Sequence, residues 1–275
     1  MLSKRTADSV LALCLTAIVA ITAVFLLFPV IVTVLMAFDA RDYLGPFPPL
    51  NLSTKWFGRL IDNTYLWSGF YTSLLLAIAT TALATVIGAL AALATIRMTP
   101  RWRDLVTTTF LSPLVMPGVI IGFALLMFFS VLTPLPPFPK LLAGHLIITI
   151  PYTIRMTLIG LTGISETLRE AALSLGANKR QAFFTVTLPL AKNGIAAGAI
   201  FAFAFSMDDV AISLFLSDFE TYTLPVALIG LMRSSFDLTI AAAAVALMAL
   251  TVVLLIVLDR VLGLDRAIGQ GVYRV

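Results

Sequence analysis

Very little in this sequence is charged, and almost nothing in it can hold a metal or close a disulfide. Asp, Glu, Lys and Arg make up 12% of the 275 residues, about half the share of an ordinary soluble domain. A water-soluble globule is excluded on that ground. The single cysteine, Cys14, rules out an intrachain disulfide and a cysteine-rich metal site; it reads as a small core-like residue. With one histidine, His145, no convergent set of ligands is available for a metal, so His145 reads as an interfacial or packing residue. No Gly-x-x-x-x-Gly-Lys-Ser/Thr run occurs, so the chain has no phosphate cradle for ATP. It also lacks a fixed-period repeat, a low-complexity tail and a nucleophile–base set that would suit a membrane enzyme.

What is present is hydrocarbon. Sixty per cent of residues are hydrophobic and the mean hydropathy is +1.04. The apolar residues fall in blocks long enough to cross a bilayer, which takes about 20 residues of helix. Six spans are expected, at about 10–38, 71–96, 105–131, 141–163, 191–216 and 239–262, in one all-α transmembrane domain covering 1–275. The first block is too long for a secretory signal core and has no small-residue cleavage site after it, so it reads as a retained span. An even span number puts both termini on one side. Twelve of the eighteen Lys and Arg residues then lie on that side, among them Arg97, Arg101, Arg103, Lys179, Arg180 and Lys192. Short cytoplasmic loops collect Lys and Arg, so the termini are expected in the cytoplasm. The same asymmetry accounts for the pI near 9.4 without nucleic acid, whose binders gather basic charge on one face.

The loops are unequal. The first outer loop (39–70) holds GPFPPL at 45–50, which excludes a long helix, and Trp56, Trp67 and Tyr71, which suit an interfacial belt. In the third span Pro113 and Pro117 must bend or break the helix; a packing kink and a bend lining a pathway fit equally. The inner segment from Ser165 to Gly194 is too long for a simple turn. Leu168, Ala171, Ala172 and Leu175 lie at i, i+3, i+4 and i+7, one apolar stripe, and Gly176 ends that helix. A second short helix is expected from about Asn178, carrying Phe183 and Phe184 and stopped at Pro189. Such a surface helix lies on a membrane or docks in a partner's groove. The alanines on its stripe permit close backbone approach and favour a protein partner.

At these residues the sequence resembles the permease subunits of ATP-binding-cassette importers. EAALSLGANKRQAFFTVTLP is similar to their EAA loop, with Glu170, Ala171, Ala172, Gly176, Leu188 and Pro189 at its characteristic positions. The resemblance implies a type I ABC-importer permease architecture, with loop 164–190 as a coupling helix seated on a separate ATPase. It implies that ATP and Mg²⁺ are used by that ATPase and that this chain binds no cofactor and is no enzyme. It further implies a dimer of ATPase subunits, a second homologous permease in a heterodimer, an extracytoplasmic solute-binding protein and a bacterial inner membrane. Uptake then proceeds by alternating access driven from outside the subunit. A secondary transporter or channel accounts for intramembrane acids but leaves the patterned loop unexplained.

SMDDVAISLF at 206–215, PLVMP at 113–117 and His145 are similar to the spermidine/putrescine branch, which implies a polyamine-type cation. Gly118 stands where several polyamine permeases carry an acid, and TIAAAAVALM where they often carry an Asn. Related branches move amino acids or aminophosphonates. In a continuous helix Ser206, Asp209, Ser213 and Ser217 share one face. Asp209 is therefore expected to line a wet path with Ser206 and Ser213. Asp208 is expected to pair with a neighbouring helix or backbone donors, roughly 24 Å along the helix from Lys192. A bend or early helix end at the pair is the plainer alternative. Arg155, near the middle of the fourth span, reads as a buried charge with a structural partner, an anion path or an inward-snorkelling head.

Overall fold

The computed structural model describes residues 4–132, 135–162, 166–234 and 237–262. Twelve α-helices occur among them: α1 (Lys4–Ala37), α2 (Lys55–Asp62), α3 (Thr64–Thr95), α4 (Pro100–Leu111), α5 (Gly118–Val131), α6 (Pro137–Thr162), α7 (Glu166–Ser174), α8 (Lys179–Ala182), α9 (Leu188–Asp208), α10 (Ala211–Leu216), α11 (Leu224–Ser234) and α12 (Thr239–Leu262). Among the described residues extended pairing is limited to one antiparallel bridge, Asp39 with Leu52. Four helices are long and apolar enough to cross a membrane, within Leu11–Ala37, Thr64–Thr95, Pro137–Leu161 and Lys179–Asp208. Counting α4 and α5 as one broken span makes five. The sixth expected span coincides with α12, whose described apolar stretch, Thr239–Leu254, is shorter. By length and composition the count of six is therefore not reached among the described residues.

The third span is broken more sharply than a kink. Pro113 sits in a 3-10 turn, Ser112–Val115, and Pro117 precedes α5; the two helices diverge by 100°. Each proline lacks the N–H that would carry the helix through. Helix α11 lies where an outer loop was expected, its Pro225 suiting a first helical turn.

Contacts divide the chain into two compact units, residues 1–63 with 231–250 and residues 64–230 with 251–275. In the first, Met36, Ala37, Trp56, Leu238 and Ala242 form the core. Trp56 is only 1% exposed, so it is a core residue and not part of an interfacial belt. Its indole N–H donates to the Asp39 carbonyl at 2.6 Å. Arg41 Nε donates to both Asp39 carboxylate oxygens at 2.9 Å, and this hydrogen-bonded guanidinium holds the Asp39 carboxyl below the usual carboxylate range. Lys55 does the same to Asp42, at 2.9 Å. Cys14 is exposed on α1, not packed in a core, and residues 11–20 around it are exposed as well.

The second unit is organised by α3, α6 and α9, which pack against one another. Small residues allow this. A Cβ on Gly160 would lie 2.8 Å from the Cα of Gly194, so α6 and α9 touch backbone to backbone there. Transmembrane helices have little hydrophobic drive to associate and rely on such close packing. Leu76, Ile121, Leu141, Ile148, Ile212 and Leu216 build one core, joining α10 to α3, α5 and α6. Ala92, Leu93, Ile154, Leu161 and Ala191 build another, nearer the other ends of α3 and α6.

Candidate functional site

The inner segment folds largely as its pattern indicates, as far as it is described; residues 163–165 lie outside the described residues. Helix α7 ends in a Schellman closure. Gly176 N–H donates to Leu173 O at 3.0 Å and Ala177 N–H to Ala172 O at 3.1 Å, with Gly176 at φ +90°. That conformation is open to glycine at no steric cost. Asn178 then caps α8 in a reciprocal box with Gln181, at 2.9 and 2.8 Å. Leu168 and Leu175 are exposed, as are Glu170 and Ala171, so the apolar stripe of α7 faces outward. Pro189 does not stop the second helix. A π-helical segment, Phe183–Thr187, carries the chain from α8 into α9, and Pro189 occupies the first turn of α9. Pro189 supplies no N–H to the ladder, and it falls where the wider bonding of the π segment, Leu188 N–H to Phe183 O, gives way to α-helix, so helical residues run without a break from Lys179 to Asp208.

The acidic pair lies where this long helix ends. Asp208 is the last residue of α9; Asp209 has φ −66° and ψ 125°, and α10 begins at Ala211. The single face shared by Ser206, Asp209, Ser213 and Ser217 therefore does not exist, because the helix is interrupted between the first residue and the rest. The backbone donors also go to the other aspartate than the one expected to take them. Asp209, not Asp208, takes the backbone donors: its Oδ2 accepts from Ile212 N–H at 3.1 Å, Ser213 N–H at 2.9 Å and Ser213 Oγ–H at 3.2 Å. A side-chain oxygen in that position satisfies free N–H groups of a helix start, and its charge suits the positive end of the helix. The Asp209 side chain is 7% exposed. Asp208 is exposed.

His145 completes this arrangement and is not a simple packing residue. It is fully buried. Its Nδ1 lies 2.8 Å from Ser206 Oγ and its Nε2 lies 3.0 Å from Ser213 Oγ and 3.6 Å from Asp209 Oδ2. Thr149 donates its hydroxyl to the His145 carbonyl at 2.7 Å. Arg155 is exposed on α6 rather than buried. Beside the break, Phe201, Phe205 and Asp208 fall at i, i+4 and i+7 of α9, one helix face. Tyr152 of α6 stacks on Phe201 at 6.3 Å between ring centroids and lies 4.9 Å from Phe205. The expected set omits Tyr152, Phe201 and Phe205, although the α9 spacing was open to view.

The family described as the inner membrane component of binding-protein-dependent transport systems matches residues 84–264. The chain belongs to this family. Similar proteins include the spermidine/putrescine transport system permease protein PotC of Shigella flexneri, 28% identical over 90% of this chain and 92% of that one. The putrescine transport system permease protein PotI of Escherichia coli K12 is 29% identical, covering 76% of each. The molybdate/tungstate transport system permease protein WtpB of Pyrococcus abyssi is 28% identical over 70% of this chain and 77% of that one. A solved bacterial alginate ABC transporter, in complex with an alginate pentasaccharide-bound periplasmic protein, matches 93% of this chain and 94% of its own with a TM-score of 0.73 at 17% identity. The fold is that of an ABC importer permease. As a family member the chain is a multi-pass membrane component of a transport system and not its catalytic part.

Proposed function

We propose that this chain is one of two homologous permeases in an ABC importer for polyamines, small chain-like polycations. Its termini face the cytoplasm, a solute-binding protein delivers solute to its outer side, and a dimer of ATPases holding ATP and Mg²⁺ docks on loop 164–190. The observation that carries the reading is the likeness to two polyamine-system permeases over most of the chain. The chemistry of the α9 end supports it. A carboxylate within a span costs at least a few kcal/mol against lipid, so exposed Asp208 faces a wet path or the second permease. An anion on the same helix face as Phe201 and Phe205, against which Tyr152 packs, attracts ammonium groups by charge, with the ring faces adding to it. Asp209 is already committed to α10, so Asp208 is the free carboxylate for the solute. In the loop, Glu170, Ala171, Ala172 and Gly176 shape and present α7 to the ATPase, while Leu188 and Pro189 join it to α9.

The test is uptake by the assembled importer in vesicles, against a panel of putrescine, spermidine, amino acids, an aminophosphonate and molybdate. Polyamine uptake that requires the ATPase is the expected result, with Asp208→Asn lowering it and Gly176→Val separating ATP hydrolysis from it. Uptake that persists without the ATPase refutes the importer reading. Stimulation by molybdate or amino acids alone refutes the solute.

A further inference from the structure

We propose that His145 is a positioning residue that clamps the α9–α10 break, and that transport depends on the clamp. The inference rests on the transport reading above for its functional half only. Three facts carry it. The imidazole bonds to one serine on each side of the break, Ser206 in α9 at 2.8 Å and Ser213 in α10 at 3.0 Å. Its two nitrogens point in opposite directions, so one ring spans a joint that has no backbone continuity as helix. And the ring is fully buried, with both serines at 2% exposure or less.

The hydrogen-bond directions fit a single assignment. The Ser213 hydroxyl donates to Asp209 Oδ2 at 3.2 Å, so it accepts from His145 through Nε2–H. Nδ1 is then the acceptor and takes the Ser206 hydroxyl proton. A neutral imidazole offers one donor and one acceptor, and both are used. The groups facing the ring are thus Ser206 of α9, Asp209 of the junction and Ser213 of α10. Next to it, a Cβ on Gly144 would lie 2.6 Å from Ile212 and 2.8 Å from Leu216 side-chain carbons; α6 is pressed against α10 where the clamp sits.

The clamp makes the capped start of α10 follow the end of α9. The helical run that ends as α9 begins inside loop 164–190, at Lys179. Helix α6, which carries His145, touches α9 backbone to backbone at Gly160 and Gly194, so movement of the loop carries both helices and reaches α10 through the imidazole and the Asp209 cap. Without the clamp, α9 still moves and α10 lags behind it.

The experiment uses the complete importer in nanodiscs, with His145→Phe, His145→Gln, Ser206→Ala, Ser213→Ala and the double serine variant. Hydrogen exchange at the amides of Ile212 and Ser213 reads the clamp without reference to solute. In His145→Phe these amides exchange faster while those of α3 are unchanged, and maximal uptake falls about tenfold. The KM for loaded binding protein stays within about twofold, as expected for a group acting after capture. Gln keeps a donor and an acceptor and restores part of both signals. The double serine variant matches His145→Phe, and the single serine effects do not add. Exchange unchanged in His145→Phe, or additive serine effects, overturns the clamp. If His145→Phe does not assemble, the serine variants decide by the same criteria. Faster exchange together with a wild-type importer that takes up no polyamine leaves the clamp standing and sinks the solute reading instead.

Discussion

Replacing Asp209 by alanine separates the two aspartates by stability alone. The substitution strips the N-cap of α10, which costs about 1 kcal/mol on average. The Ser213 hydroxyl loses its acceptor in the same step, and a bond to a charged group contributes about 1.5–3 kcal/mol. Because the Asp209 side chain is 7% exposed, water replaces little of what is lost. Together the two losses come to about 2.5–4 kcal/mol. Asn caps a helix nearly as well as Asp, so Asp209→Asn loses only the charge and costs about 1 kcal/mol. Asp208 is exposed, and Asp208→Ala falls within about 0.5 kcal/mol of wild type. Unfolding of the purified importer by a denaturing detergent gives the order directly: Asp209→Ala least stable, then Asp209→Asn, then Asp208→Ala. Equal loss at 208 and 209, or a larger loss at 208, refutes the division of roles between them.

Three further outcomes follow from the geometry. Gly160→Val drives its side chain into the Gly194 backbone, 2.8 Å from where a Cβ would stand; the overpacking costs about 1–3 kcal/mol in the same unfolding assay, whereas Gly58→Val, with open space around it, costs far less. Gly176→Val forces a branched side chain to φ +90° at about 1–2 kcal/mol, and is read as faster exchange of the Ala177 and Gly176 amides. The Asp39 carboxyl titrates below its ordinary 3.8 because Arg41 is hydrogen-bonded to it. A lowered folded value means the stabilisation is complete above the ordinary value and is lost as pH falls from there through the folded value. Trp56 emission, isolated by Trp67→Phe and Trp102→Phe, is accordingly constant down to about pH 4 and changes below it, with the onset moved upward in Arg41→Ala.

Hydropathy located the long helices well because it averages over many residues. The Thr64–Thr95 and Pro137–Thr162 helices overlap the second and fourth expected spans, though α3 begins seven residues sooner than the 71 expected. Local end signals were as informative. Gly176 ends α7 and Asn178 starts α8, each by hydrogen bonds within a few residues of itself. What periodicity hides is a change of helix type or a break inside an apolar run. Pro189 reads as a stop only if the preceding turn is α-helical, and Phe183–Thr187 is a π segment. Asp209 before Ala211 carries an N-cap signal, but inside a long hydrophobic block that signal competes with a continuous span. The His145 bonds reach across 61 and 68 residues of sequence, and no local pattern encodes them.

The position of the break decides what the acidic pair can report. From Lys179 to Asp208 the chain is one helix of 30 residues, a rod of about 45 Å. Asp208 is fixed to its far end with no loop between it and the inner segment. The joint comes one residue later, at Asp209 and Val210. Displacement of the loop therefore moves the Asp208 carboxylate directly, whereas α10 and the core it shares with Ile121, Leu141 and Leu76 move only as far as the capped, histidine-bridged joint compels them. Had the break preceded the pair, both carboxylates would belong to α10 and neither would follow α9. Placing it between them gives one carboxylate to the end of the rod and the other to the joint.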